Sequence, residues 1–191
     1  MRTWRLERKT LETEISVEVN LDGSGISEVE TGYRFLDHMI STLSKHSLID
    51  IKLKAVGDLR HHTVEDCGIA VGRAVAEALG DRAGIRRYGY SIVPMDEALA
   101  YAAVDLVRRP RAVIRLGVSG GSVEDTPASE ITHFLESLIT SMEATAHVKT
   151  LSGADDHHKV EACLKALALA LRMALEIDPR RYGTPSAKGV M

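Results

Sequence analysis

From Thr13 to Leu21 the chain reads TEISVEVNL, apolar and polar residues alternating at period two, which predicts a half-buried strand. The DGSG that follows breaks it with a turn. From Tyr33 to His46 the rhythm changes. Phe35, Leu36, Met39, Ile40 and Leu43 recur at the 3.6-residue spacing of a helix. Leu48–Asp58 returns to alternation, with Ile49, Ile51, Leu53 and Ala55 on one face, and the Ala-rich run opening at His61 predicts a second helix. A similar order recurs downstream. EALAYAAVDL (97–106) and RAVIRLGV (111–118) predict strands, 129–146 a helix, HVKTL (147–151) a strand, and the run from His157 a closing helix.

The recurrence extends to individual residues. HHTVE begins at His61 and HHKVE at His157, each opening its helix. A single His precedes each pair at nearly the same distance (His38 and His133), a Gly stands before each (Gly57 and Gly153), and a Cys follows (Cys67 and Cys163). RRYG closes both runs, at Arg86–Gly89 and Arg180–Gly183. Landmarks in one order at near-constant spacing mark a duplicated unit. The chain is therefore expected to be α+β: two tandem sheet-plus-two-helix units, residues 1–90 and 91–191, related by a pseudo-twofold axis and forming one compact domain.

At 191 residues, 45% apolar and 27% charged, the chain has the composition of a globular protein. A net charge of -3 gives no footprint of a nucleic-acid binder, and the apolar runs fall short of a membrane span. Two cysteines are too few for a disulfide framework, and the first residues lack the apolar core of a signal peptide, so a cytoplasmic setting is expected.

The HHxxE pairs carry the chemistry. With about 100° per residue, placing His61 at 0° puts His62 near 100° and Glu65 near 40°, so the carboxylate lies between the two imidazoles on one face. Adjacent imidazoles diverge too far to grip one ion, but each can serve a different one. The same holds for His157, His158 and Glu161. With His38 and His133 the set reaches six imidazoles and two carboxylates, enough for two sites, each expected to draw on both repeats or on neighbouring subunits. Nitrogen and oxygen donors without thiolate suit Mn, Fe, Co, Ni or Zn. Cys67 and Cys163 lie about 200° around the helix from Glu65 and Glu161 and read as buried hydrophobes. Lys165, one turn beyond Glu161, stands on the same stripe of an apolar helix.

The combination of RKTLET (8–13), FLDHM (35–39), HHTVED (61–66), RRYGYSIVPMDEAL (86–99), HHKVEA (157–162) and GTPSAKGVM (183–191) resembles the imidazoleglycerol-phosphate dehydratases, in their monofunctional form. The resemblance implies a fold like domain 2 of ribosomal protein S5, and a lyase that removes water from imidazoleglycerol phosphate in histidine biosynthesis. It implies two Mn2+ ions per subunit, held by His38, His61, His62, Glu65, His133, His157, His158 and Glu161, which stabilise an imidazolate-like intermediate. It further implies Glu12 as general acid/base, with His38, His62 and His158 also catalytic. Substrate contacts follow from Glu12, His38, His46 and His157, and a phosphate clamp from Arg87, Arg109, Lys165, Ser186 and Lys188. The tail 183–191 is expected to order over phosphate, and an assembly of twenty-four subunits built from trimers is implied. Two departures stand out: VRRP (107–110) replaces the usual SGRP, setting Arg108 beside Arg109, and KHS (45–47) lacks the usual Gly.

Two other readings fit the spacing. A two-metal hydrolase would call for more carboxylates, including one bridging the ions. A metal-storage bundle would be all helical, against the period-two stretches, and has no use for a cationic clamp.

Overall fold

The computed structural model describes residues 1–189; Val190 and Met191, the end of the expected phosphate-ordered tail, lie outside them. In the first sheet β1 (Thr3–Lys9) and β2 (Thr13–Asn20) pair antiparallel, β4 (Asp50–Gly57) lies antiparallel to β2, and β3 (Ser27–Glu30) joins β4 in parallel. The second sheet repeats that plan. There β5 (Tyr88–Met95) pairs with β6 (Ala98–Asp105), β10 (Thr145–Ser152) lies antiparallel to β6, and β7 (Arg111–Arg115) runs parallel to β10. The orders β1-β2-β4-β3 and β5-β6-β10-β7 are one topology written twice, with a small added hairpin of β8 (Ser122–Val123) and β9 (Thr126–Pro127). The division expected after residue 90 falls within β5, whose residues pair as one strand, so the sheets divide before Tyr88.

Four helices cover the sheets: α1 (Arg34–Ser47), α2 (Arg60–Leu79), α3 (Ala128–Ser141) and α4 (Asp156–Leu175). Each packs against a helix of the other half, α1 on α4 and α2 on α3, while α2 covers β2 and α4 covers β5 and β6. The inward strand positions are the apolar ones: Ile15, Val17 and Val19 of β2, Ile51 and Leu53 of β4, and the small Ala98, Ala100 and Ala102 of β6 are all buried. Two glycines let α2 and α3 approach closely. A Cβ on Gly68 would lie 2.7 Å from the Phe134 carbonyl oxygen, and one on Gly72 would collide with that of Leu138. Both cysteines are buried, as their helical angle predicted.

The structure corrects several sequence expectations. The helix expected over 129–146 ends at Ser141, and Thr145 and Ala146 begin β10. Glu143 takes a left-handed conformation (φ 54) with no glycine to announce it, and the buried Arg82 guanidinium donates to the carbonyls of Met142 and Glu143, both at 2.9 Å. The strand expected over 111–118 stops at Arg115. Strands β1, β3 and β5 and the β8–β9 hairpin lie outside the strands expected from the sequence. At KHS, Ser47 stands where the usual Gly would and is the last residue of α1; the left-handed conformation falls one residue later, on Leu48 (φ 62), and the Ser47 hydroxyl accepts from the Ile49 amide at 3.2 Å. Among the described residues no helix is long and apolar enough to cross a membrane.

Candidate active site

Because helices pair across the halves, so do the histidines. His38 projects from α1 toward His157 and Glu161 on α4, and His61 and Glu65 on α2 meet His133 on α3. In each trio one donor atom per residue lies within 4.8 Å of the others. Glu161 Oε2 stands 3.1 Å from His157 Nε2 and 3.5 Å from His38 Nε2, and Glu65 Oε2 stands 3.3 Å from His133 Nε2 and 3.9 Å from His61 Nε2. Two donors about 2.1 Å from a common ion at right angles would lie about 3 Å apart, so both trios have the spacing of a coordination shell. His133 Nε2 is buried without a hydrogen-bond partner, an orphaned donor atom facing the second trio. Imidazole nitrogen and carboxylate oxygen suit a divalent transition metal. The residues present therefore fit the expected ions.

The second histidine of each pair faces elsewhere. Glu65 does not lie between His61 and His62: His62 Nδ1 turns to Asp58 Oδ1 at 2.8 Å, with Glu12 Oε2 at 3.8 Å. His158 Nδ1 meets Glu97 Oε2 at 2.8 Å, and its Nε2 lies 3.5 Å from Asp96. The hydrogen bond to Asp58 raises the His62 pKa and that to Glu97 raises the His158 pKa. The Asp155 amide and His158 hold Glu97 down at about 2.

The carboxylates that orient these rings escaped sequence reasoning, since an isolated Asp or Glu in a turn carries no periodic signal. Glu124, at the β8–β9 turn, contacts His157 Nδ1 at 3.0 Å. Asp125 beside it accepts from the Arg34 and Phe35 amides and so caps α1, which carries His38. Asp66 anchors Thr13 and Arg8 next to Glu12.

Lys165 Nζ lies 2.9 Å from Glu161 Oε1. Burial opposes ionisation of Glu161, but the hydrogen bond and charge of Lys165, with His38, outweigh it and its pKa falls. His46 is held below its ordinary pKa by burial and then by the charge of Lys165, so it borders the same trio. Four other expected anion contacts gather separately: Arg87, Arg109, Ser186 and Lys188 line one groove of ≈ 570 Å³. Arg87 is fixed there by Asp105 (2.7 Å) and donates to the Pro185 carbonyl at 2.7 Å, tying the tail to β5. Arg108 also borders this groove, and its guanidinium donates to the Gly80 carbonyl at 2.6 Å. Lys165 is not part of this groove.

The duplicated α+β chain thus carries two imidazole–carboxylate trios spanning its halves, each a candidate metal site, and a separate cationic groove, an arrangement consistent with a metal-dependent enzyme. A family model described as imidazoleglycerol-phosphate dehydratase matches residues 31–171. Relatives of that name include one from Frankia casuarinae, 50% identical with 100% of this chain and 99% of the relative covered. Another, from a Synechococcus strain, is 47% identical with 100% and 97% covered. The crystal structure of imidazoleglycerol-phosphate dehydratase from Staphylococcus aureus matches with a TM-score of 0.84 at 30% identity, over 92% of this chain and 99% of that one. That of the Pyrococcus furiosus enzyme also gives 0.84, at 36% identity over 97% and 100%. The chain belongs to the imidazoleglycerol-phosphate dehydratase family, enzymes of the carbon–oxygen hydro-lyase class.

Proposed function

We propose that this chain removes water from D-erythro-imidazoleglycerol phosphate to give imidazole acetol-phosphate in L-histidine biosynthesis, as a cytoplasmic enzyme with two Mn2+ ions per subunit. The observation that carries the reading is the pair of His/His/Glu trios, each assembled across the two halves. In each, His38, His157 and Glu161 or His61, Glu65 and His133 would hold one ion. Bound ions supply Lewis-acid stabilisation of the charge that develops on the substrate's imidazole ring.

The remaining work falls to the chain. Glu12, at the β1–β2 turn and largely exposed beside His62, takes the carbon-bound proton and returns one to the leaving hydroxyl. Arg87, Arg109, Ser186 and Lys188 hold the phosphate, with Arg87 pre-oriented by Asp105 so that little side-chain freedom is lost on binding. Lys165 keeps Glu161 ionised, and His46, whose imidazole feels the charges of Lys165 and Glu161, is assigned to substrate binding beside that trio.

His62 and His158 stand outside both trios, so we assign them as fourth donors to the sites of neighbouring copies. That assignment calls for a homo-oligomer, for which we propose twenty-four subunits built from trimers. The exposed Tyr88, Tyr90 and Ile92 on the outer face of β5 support burial of that face in an assembly.

The test is to follow imidazoleglycerol phosphate with the purified chain. Formation of imidazole acetol-phosphate without release of inorganic phosphate supports the lyase. Phosphate release would point to a hydrolase.

A further inference from the structure

We infer that Glu97 is a positioning residue that fixes the tautomer of His158, taking over in the second half the task that Asp58 performs in the first. The inference rests on the proposed role of His158 as a metal donor.

The two halves share their strand order, so their parts can be matched. Glu12 stands immediately before β2 at the β1–β2 turn, and Glu97 immediately before β6 at the β5–β6 turn. Glu97 is thus the counterpart of Glu12. Relative to the second histidine of each pair, Ala154 occupies the place of Asp58. In the first half Asp58 binds His62 Nδ1 at 2.8 Å, and Glu12 stays back at 3.8 Å. In the second half Ala154 offers no carboxylate, and the turn residue closes in instead, Glu97 Oε2 reaching His158 Nδ1 at 2.8 Å. Its other oxygen accepts from the Ala154 and Asp155 amides at 3.1 and 2.9 Å, so the carboxylate also anchors the entry to α4.

An ionised carboxylate can only accept hydrogen bonds. Facing Nδ1, it places the ring proton there and leaves the Nε2 lone pair free for a metal. The duplication has therefore diverged in use. Asp58 orients His62 and leaves Glu12 available for proton transfer, whereas Glu97 is committed to orientation.

Glu97→Gln separates the two contacts. The amide oxygen can still accept from the backbone, but the amide NH2 then faces His158 Nδ1 and favours the tautomer protonated at Nε2. Equilibrium dialysis against buffered Mn2+, read by elemental analysis, should show one of two sites weakened about 10- to 100-fold with the fold intact. Adding Ala154→Asp to Glu97→Gln rebuilds the first-half arrangement and should restore most of the lost affinity. His158→Ala should remove binding at the same site.

Wild-type affinity in Glu97→Gln would overturn the assignment while leaving the metal reading standing, provided that His158→Ala loses metal. A double variant as weak as Glu97→Gln would also overturn it, because the defect would then lie in the α4 anchor rather than in the imidazole. Full metal content in His158→Ala would remove the donor role itself and the inference with it.

Discussion

His133 Nε2 lies 3.3 Å from Glu65 Oε2, a carboxylate carried by the other half of the duplicated chain. The contact exists because α2 and α3 pack together at Gly68 and Gly72, bringing two helix faces close enough for second-turn side chains to converge. Either trio is incomplete without the opposite half. His133→Ala should therefore lower bound metal by about one ion per subunit and abolish dehydration, while far-ultraviolet circular dichroism stays unchanged. Retention of both ions would remove His133 from the site.

The close helix approach is itself testable. Gly72→Ala forces a methyl against the Leu138 carbonyl, backbone that cannot swing aside as a side-chain tip could. Overpacking of this kind costs about 1–3 kcal/mol, read as a lower Tm. Because α2 and α3 carry the second trio, metal affinity should fall together with Tm.

The thiols predict an alkaline limit. Burial pushes Cys163 up to about 11 and Cys67 higher still, against about 8.5 for a free thiol. Between those values the unfolded chain loses thiol protons that the folded chain keeps. Stability contributed below pH 8.5 is thus lost as pH rises toward 11. Chemical denaturation across pH 8–11 should show that decline, and Cys67→Ala/Cys163→Ala should flatten it. Neither native thiol should react with iodoacetamide at pH 8 until the protein unfolds.

In the cationic groove, Lys188→Ala should raise KM for substrate about tenfold or more, the effect of one lost charge-assisted hydrogen bond. Metal content should not change. Loss of metal would show that the tail supports the trios rather than the phosphate.

Much of this arrangement was legible in the sequence because duplication writes the same signals twice. The helix faces of α1, α2 and α4 were clear from Phe35 to Leu43 and from the two Ala-rich runs, and the divergence of adjacent imidazoles pointed to donors from both repeats or from neighbouring subunits; the two trios drawn across the halves are what the fold adds. β5 was hidden because its pattern is inverted: Tyr88, Tyr90 and Ile92 point outward, and small Gly89 and Ser91 point in, where Ser91 meets the Ala166 carbonyl of α4. β1 is an edge strand dominated by charged residues, which blunt the apolar alternation. The early end of α3 depends on Arg82, remote in sequence. Asp58, Glu97 and Glu124 gain meaning only from what they face.

The most direct measurement is metal per subunit by elemental analysis, paired with the dehydration assay before and after chelation. A two-site lyase predicts about two ions per chain, loss of activity on chelation, and best recovery with Mn2+. Full activity in a chelated protein holding no metal would contradict it.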